Sequence, residues 1–142
     1  MATKILFFDD EKGIAEILQK NLELFNYDVK LVSTISELFA EINNTNITYN
    51  LMLMDIMAPM PNSNEKNMFS SLELSNMDNG IRIGEIFVDK IRCIGKYSNV
   101  PILFYSAKGS VKSYPNTKFL PKPALAKDIV EEIKTLLGGG TK

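Results

Sequence analysis

Short apolar runs alternate with stretches of helical period along the chain. Lys4–Phe8 is a compact apolar run of strand length. From Gly13 to Phe25 the apolar residues fall at Ile14, Ile17, Leu18, Leu22 and Phe25, the spacing of a one-faced helix. Asp28–Val32 reads as a second strand. Thr34 and Glu37 have the spacing of a capping box, and Ile35, Leu38, Phe39 and Ile42 follow at helical intervals. Leu51–Met54 is apolar on both faces, as an interior parallel strand should be. Ile83, Phe87, Ile91 and Ile94 mark a third helix, opened by Asn79-Gly80 and closed near Gly95. Val100–Tyr105 is another apolar strand, with Pro101 near its start, where a missing N–H does least harm. Lys118–Leu120 is a short strand, and Leu125, Ile129, Ile133 and Leu136 predict a final helix.

This alternation predicts an α/β fold in which helices cover both faces of a parallel sheet. Five strands and about four helices fit the flavodoxin-like, doubly wound order 2-1-3-4-5. Two segments depart from compactness. Ala58–Asn79 is a long connection rich in Asn, Ser and Met, and connections beyond about 12–15 residues are uncommon. Its composition reads as a disordered decoration; the alternative is that Pro61–Met77 gates a neighbouring site. The segment between Ser106 and Lys118 is too short for an amphipathic helix of ordinary length. A helix between the fourth and fifth strands is therefore expected to be shortened or missing. With no internal repeat or linker, residues 1–137 read as one domain and 138–142 as a loose tail.

Composition narrows the chemistry. The 142 residues are 45% apolar and 23% charged, enough for a core of their own and incompatible with intrinsic disorder. Sixteen basic and 17 acidic side chains leave a net charge of −1, so no overall field draws the chain to nucleic acid or an anionic membrane. Cys93, the single cysteine, forbids an internal disulfide and reads as a small buried hydrophobe within the third helix. The apolar stretch Ile5–Phe8 is too short for a secretory signal, and no run approaches the roughly 20 apolar residues of a membrane span. A cytoplasmic protein is expected. There is no histidine, which removes the commonest general base and the commonest metal ligand and so rules out zinc sites, Ser-His-Asp and Cys-His chemistry. Carboxylates, hydroxyls, lysines and a hard cation remain.

In open parallel sheets, ligands bind outside the carboxyl ends of the strands. The first strand ends in Asp9-Asp10, the third in Asp55, the fourth in Ser106 and the fifth in Lys122, whereas the second offers only Ser33 and Thr34. Taken singly, each has an ordinary reading: Asp9-Asp10 as a helix cap, Asp55 as a turn residue, Ser106 as a capping hydroxyl, Lys122 as a solvated lysine between two prolines. Taken together they have a chemical logic. Carboxylates this close repel unless a cation holds them, and Mg²⁺ is bound by one or two carboxylates, waters and phosphate oxygens. Asp55 can then act as nucleophile toward a phosphoryl group, with Lys122 and Ser106 on its oxygens.

The order Ile5-Leu6-Phe7-Phe8-Asp9-Asp10-Glu11, then Leu51-Met52-Leu53-Met54-Asp55-Ile56-Met57-Ala58-Pro59, then Pro101-Ile102-Leu103-Phe104-Tyr105-Ser106-Ala107, then Phe119-Leu120-Pro121-Lys122-Pro123, resembles the receiver domain of bacterial two-component response regulators. The resemblance covers nearly the whole chain. It implies that Asp55 is the phosphoacceptor, that Asp9 and Asp10 position Mg²⁺ together with Asp55 and the Met57 carbonyl, that Ser106 is the switch hydroxyl and that Lys122 contacts the phosphoryl group. It also implies a cis peptide before Pro123, an aromatic switch position at Phe119, and partners comprising a sensor histidine kinase or phosphotransfer protein and a downstream protein. Such a domain assists its own phosphorylation and is not a turnover enzyme. The resemblance carries two departures: the inserted residues after Pro59, and the short segment after Ser106, where the family's usual output helix stands.

The rival reading is a receiver-like interaction module held in one conformation and never phosphorylated; the acid pair, Asp55, Ser106 and Lys122 argue against it. An aspartate-nucleophile phosphatase needs a second carboxylate two residues after Asp55, where Met57 stands. In a flavodoxin, Asp9-Asp10-Glu11 would repel the flavin phosphate.

Overall fold

The computed structural model describes residues 3–55, 61–78, 83–106 and 116–138. Strands β1 (Lys4–Phe8), β2 (Asp28–Val32), β3 (Leu51–Met54), β4 (Ile102–Ser106) and β5 (Thr117–Pro121) pair in parallel in the order β2-β1-β3-β4-β5, as expected. The described residues also form helices α1 (Lys12–Glu23), α2 (Ile35–Ile42), α3 (Ser71–Asp78), α4 (Ile83–Arg92) and α5 (Ala126–Leu137). Short 3-10 turns lie at Glu65–Met68 and Gly95–Tyr97.

Side-chain alternation along each strand divides the interior in two. Leu6, Phe8, Met52, Met54, Ile102 and Phe104 face α2 and α4; Ile5, Phe7, Leu51, Leu53 and Leu103 face α1 and α5. The central strands are buried on both sides, which is why they read as unbroken apolar runs. The box at the start of α2 is closed: Thr34 accepts from the Glu37 N–H, and Glu37 accepts from the Thr34 N–H.

Three expectations are corrected. The first concerns α1, where Ile14 and Ile17 are 67% and 64% exposed, and Ala15 and Leu22 are the buried residues. The core-facing stripe runs through Ala15, Leu18 and Leu22, three and four residues apart, so Ile14 and Ile17 fall outside it. Cys93 is exposed: α4 ends at Arg92, so the cysteine stands just past the helix and outside the packed face that Ile91 and Ile94 share.

The third correction is the insertion. Residues 61–78 are folded onto the sheet's α2–α4 side, and two reciprocal capping pairs organise them. Asn62 and Glu65 exchange backbone-to-side-chain hydrogen bonds at 2.8 and 3.0 Å, and Ser70 and Glu73 do the same at 3.1 and 2.8 Å ahead of α3. The Glu65 carboxylate, although buried, reaches across to α2 and accepts from both the N–H and the hydroxyl of Ser36 at 3.0 Å. Phe69 stacks on Phe87 and meets the edge of Phe39, while Lys90 pairs with Glu73 and lies over the Phe69 ring. The segment between β4 and β5, where a shortened or missing helix was expected, lies largely outside the described residues, as does 139–142 of the expected tail.

Burial pushes the Glu65 pKa up, but the hydrogen bonds from Asn62 and Ser36 outweigh it and hold the carboxyl below the ordinary glutamate value. A native pKa lowered in this way contributes stability above the unfolded value, and that contribution is lost as pH falls through the native one. Glu65→Ala is expected to cost about 1–3 kcal/mol at neutral pH. In urea titrations the gap between wild type and variant should close as the pH falls below 4.5.

Candidate functional site

Strand register assembles the site. Phe8 pairs with Met54, so the next residues, Asp9 and Asp55, emerge side by side. The ladder continues past the strand ends, where the Asp9 N–H donates to the Val32 carbonyl and the Asp55 N–H to the Phe8 carbonyl. Ser106 pairs with Pro121, and the Lys122 N–H donates to the Ser106 carbonyl at 2.9 Å. The Lys122–Pro123 peptide is cis, as the resemblance implied.

Acceptor oxygens of Asp9, Asp10 and Asp55 all lie within 4.8 Å of one another. Asp9 and Asp55 are buried and Asp10 is exposed. The Lys122 ammonium enters this group, at 2.8 Å from Asp9 Oδ2 and 3.4 Å from Asp55 Oδ2. Burial opposes its charge, but the two carboxylates prevail and raise the Lys122 pKa. The Asp10 carboxyl lies above its ordinary pKa. Burial raises its pKa, its own backbone N–H opposes this, and the charges of Asp55 and Asp9 push it further up. The helix-cap reading of the acid pair fails: the residue preceding α1 is Glu11, without a side-chain capping bond, and Asp9 instead accepts from the Glu11 N–H at 2.9 Å.

Ser106 is fully buried at the end of β4, tied through its carbonyl to Lys122. Phe119 is half-buried against the α2–α4 side of the core. Met57 lies outside the described residues. Of the residues picked out from the sequence, Asp9, Asp10, Asp55 and Lys122 are therefore brought into one cluster, with Ser106 at the end of the adjoining strand. Sequence reasoning missed Tyr105, whose ring centroid is 5.2 Å from the Lys122 Nζ. Its place beside the site depends on register, although its step of two residues from Leu103 put it on the correct face.

A five-stranded parallel sheet in this order, with acids at the ends of its first and third strands and a lysine past its fifth, has clear relatives. Over 99% of its length the chain superposes on 97% of a CheY-like response regulator receiver domain protein from Methanospirillum hungatei, with a TM-score of 0.72 and 20% identity. The fold is that of a response-regulator receiver domain. The receiver domain of sensor histidine kinase PA1611 from Pseudomonas aeruginosa, which holds a magnesium ion in its active-site cleft, matches with a TM-score of 0.66 and 17% identity over 97% of this chain and 99% of that one. In sequence, the chain is 25% identical over 141 residues to a CpxR homologue, a transcriptional regulatory protein of Haemophilus influenzae. That match takes in 95% of this chain and 50% of the relative, so the chain spans half the length of the curated relative it matches. No protein-family model matches. No helix among the described residues is long and apolar enough to cross a membrane.

Lys122→Ala in this receiver fold leaves Asp9 and Asp55 without their ammonium. It is expected to lower stability at neutral pH by about 1–3 kcal/mol. Urea denaturation with and without excess Mg²⁺ should show a larger gain from the cation in the variant than in wild type.

Proposed function

We propose that this chain is a phosphoacceptor receiver domain of a two-component phosphorelay, with Asp55 taking the phosphoryl group from a sensor histidine kinase or phosphotransfer protein. The observation that carries the reading is Lys122 Nζ lying between Asp9 and Asp55 at the carboxyl edge of the sheet. The ammonium shares two carboxylates, and an oxygen of a third, Asp10, lies within 4.8 Å of theirs.

In the proposed transfer, an oxygen of Asp55 attacks phosphorus, a P–O bond forms, and the P–N bond of a donor phosphohistidine breaks. The bonding pair stays on the departing imidazole nitrogen. Lys122 moves from the carboxylates to an oxygen of the incoming phosphoryl group, and the Ser106 hydroxyl takes another. Preorganised donors of this kind are the main resource for phosphoryl transfer, which needs positioning and charge neutralisation more than covalent help.

Convergent carboxylates are donors that suit a small hard cation, so Asp9, Asp10 and Asp55 fit Mg²⁺; the resemblance adds the Met57 carbonyl as a proposed further ligand. Bound there, Mg²⁺ would neutralise charge on the phosphoryl oxygens. A protein donor is supported by the surface beside the site. Ile14 is exposed on α1 and lines a groove that also includes Asp9, Tyr105, Lys122 and Pro123, and exposed Ile17 lies one turn further along α1. We place the domain in the cytoplasm, extending over residues 1–137, with the phosphorylated form altering affinity for a downstream protein.

The test is intact mass after brief incubation with acetyl phosphate and Mg²⁺, quenched in acid. A single phosphoryl adduct is expected, absent in Asp55→Asn and after chelation of the metal. A folded protein that takes no phosphate, or an Asp55→Asn variant that still takes it on an aspartate, overturns the reading.

A further inference from the structure

Lys122 has a third neighbour besides the two carboxylates. β4 and β5 run in register with Leu103 opposite Lys118 and Tyr105 opposite Leu120, so Tyr105 and Lys122 project toward the same face of the sheet. The Lys122 Nζ lies 5.2 Å from the Tyr105 ring centroid, within the range of a cation–π contact. The Tyr105 hydroxyl accepts from the Ala124 N–H at 3.4 Å, two residues beyond the lysine. One side chain therefore touches the corner at residues 122–124 twice, with its ring against the ammonium and its oxygen against the backbone. The ring is itself held, packed against the α1–α5 core beside Leu120 and Ala124.

We propose that Tyr105 is a positioning residue for Lys122, a face of π density that keeps the ammonium directed at Asp9 and Asp55. A lysine carries its charge on a flexible four-carbon stem, and two carboxylates on one side do not by themselves fix that stem. A ring on the other side does: it attracts the cation while excluding the water into which the ammonium would otherwise swing. An aliphatic side chain at 105 fills the same space and exerts no such attraction. The role rests on the proposed function, because the positioned ammonium is the one assigned to the incoming phosphoryl group. The contact itself does not.

The test compares Tyr105→Leu and Tyr105→Phe with wild type in two measurements. In protein labelled with ¹³C-lysine, the Lys122 side-chain resonances, assigned by their loss in Lys122→Arg, should be displaced upfield by the ring in wild type and in Tyr105→Phe. They should return to the ordinary lysine position in Tyr105→Leu. Phosphorylation by acetyl phosphate with Mg²⁺ should be roughly five-fold slower in Tyr105→Leu, and Tyr105→Phe should restore most of that loss. Circular dichroism and thermal melts establish that both variants fold. A Lys122 signal that does not move in a folded Tyr105→Leu overturns the proposal, as does a signal that moves with no change in rate. If wild type itself takes no phosphate, the phosphoacceptor reading fails, and the lysine spectra still decide whether Tyr105 holds Lys122.

Discussion

Repulsion among like charges is the constraint around which the molecule is arranged. Asp9, Asp10 and Asp55 bring their oxygens within 4.8 Å, and two of the three are buried. Carboxylates in such a group persist only beside compensating positive charge. Lys122 supplies it from just past the edge strand, and Asp9 and Asp55 raise its pKa in return. Everything that fixes Lys122 therefore bears on the site. That includes the ladder bond to Ser106, the corner at Pro123 and the ring of Tyr105.

The insertion is attached to the same architecture from the other side. Residue 61 follows closely on Asp55, and within a few residues Glu65 is fastened to the start of α2 and Phe69 to the rings of Phe39 and Phe87. The described residues of the insertion are thereby anchored to the α2–α4 layer. Phe8, the last residue of β1, belongs to the same aromatic group through its contact with Phe87 at 5.6 Å. The acidic edge and the inserted segment consequently share a boundary of packed rings.

Much of this was legible in the sequence, for identifiable reasons. Parallel strands buried on both faces are unbroken apolar runs, so β1, β3 and β4 announced themselves, with the acids at the ends of β1 and β3, while the lysine stood past the short fifth strand. Helix faces were harder. Ile14 and Ile17 have the spacing of a core stripe yet lie outside, because periodicity reports an apolar face without saying what covers it. Glu65 was illegible for a different reason: a buried carboxylate is tolerable only with partners, and one of them, Ser36, is 29 residues away. The local spacings Asn62 to Glu65 and Ser70 to Glu73 did carry a capping signal, the same one read correctly at Thr34 and Glu37. It was outweighed by the polar composition around it. Tyr105 needed the pairing of β4 with β5 before its neighbour could be named.

The contact between Lys122 and Asp9 joins residues 113 positions apart, nearly the two ends of the chain. Closing so long a loop is among the later and slower steps of a folding chain, since distant pairings are rewarded only after the intervening segments are ordered. A nascent chain that has not yet released its fifth strand has the acids without the lysine. So does a copy that has lost that strand to proteolysis or fraying. The same holds for any fragment ending before residue 122. The completed edge thus reports a chain made and folded through its fifth strand, and shorter copies lack the means to present it.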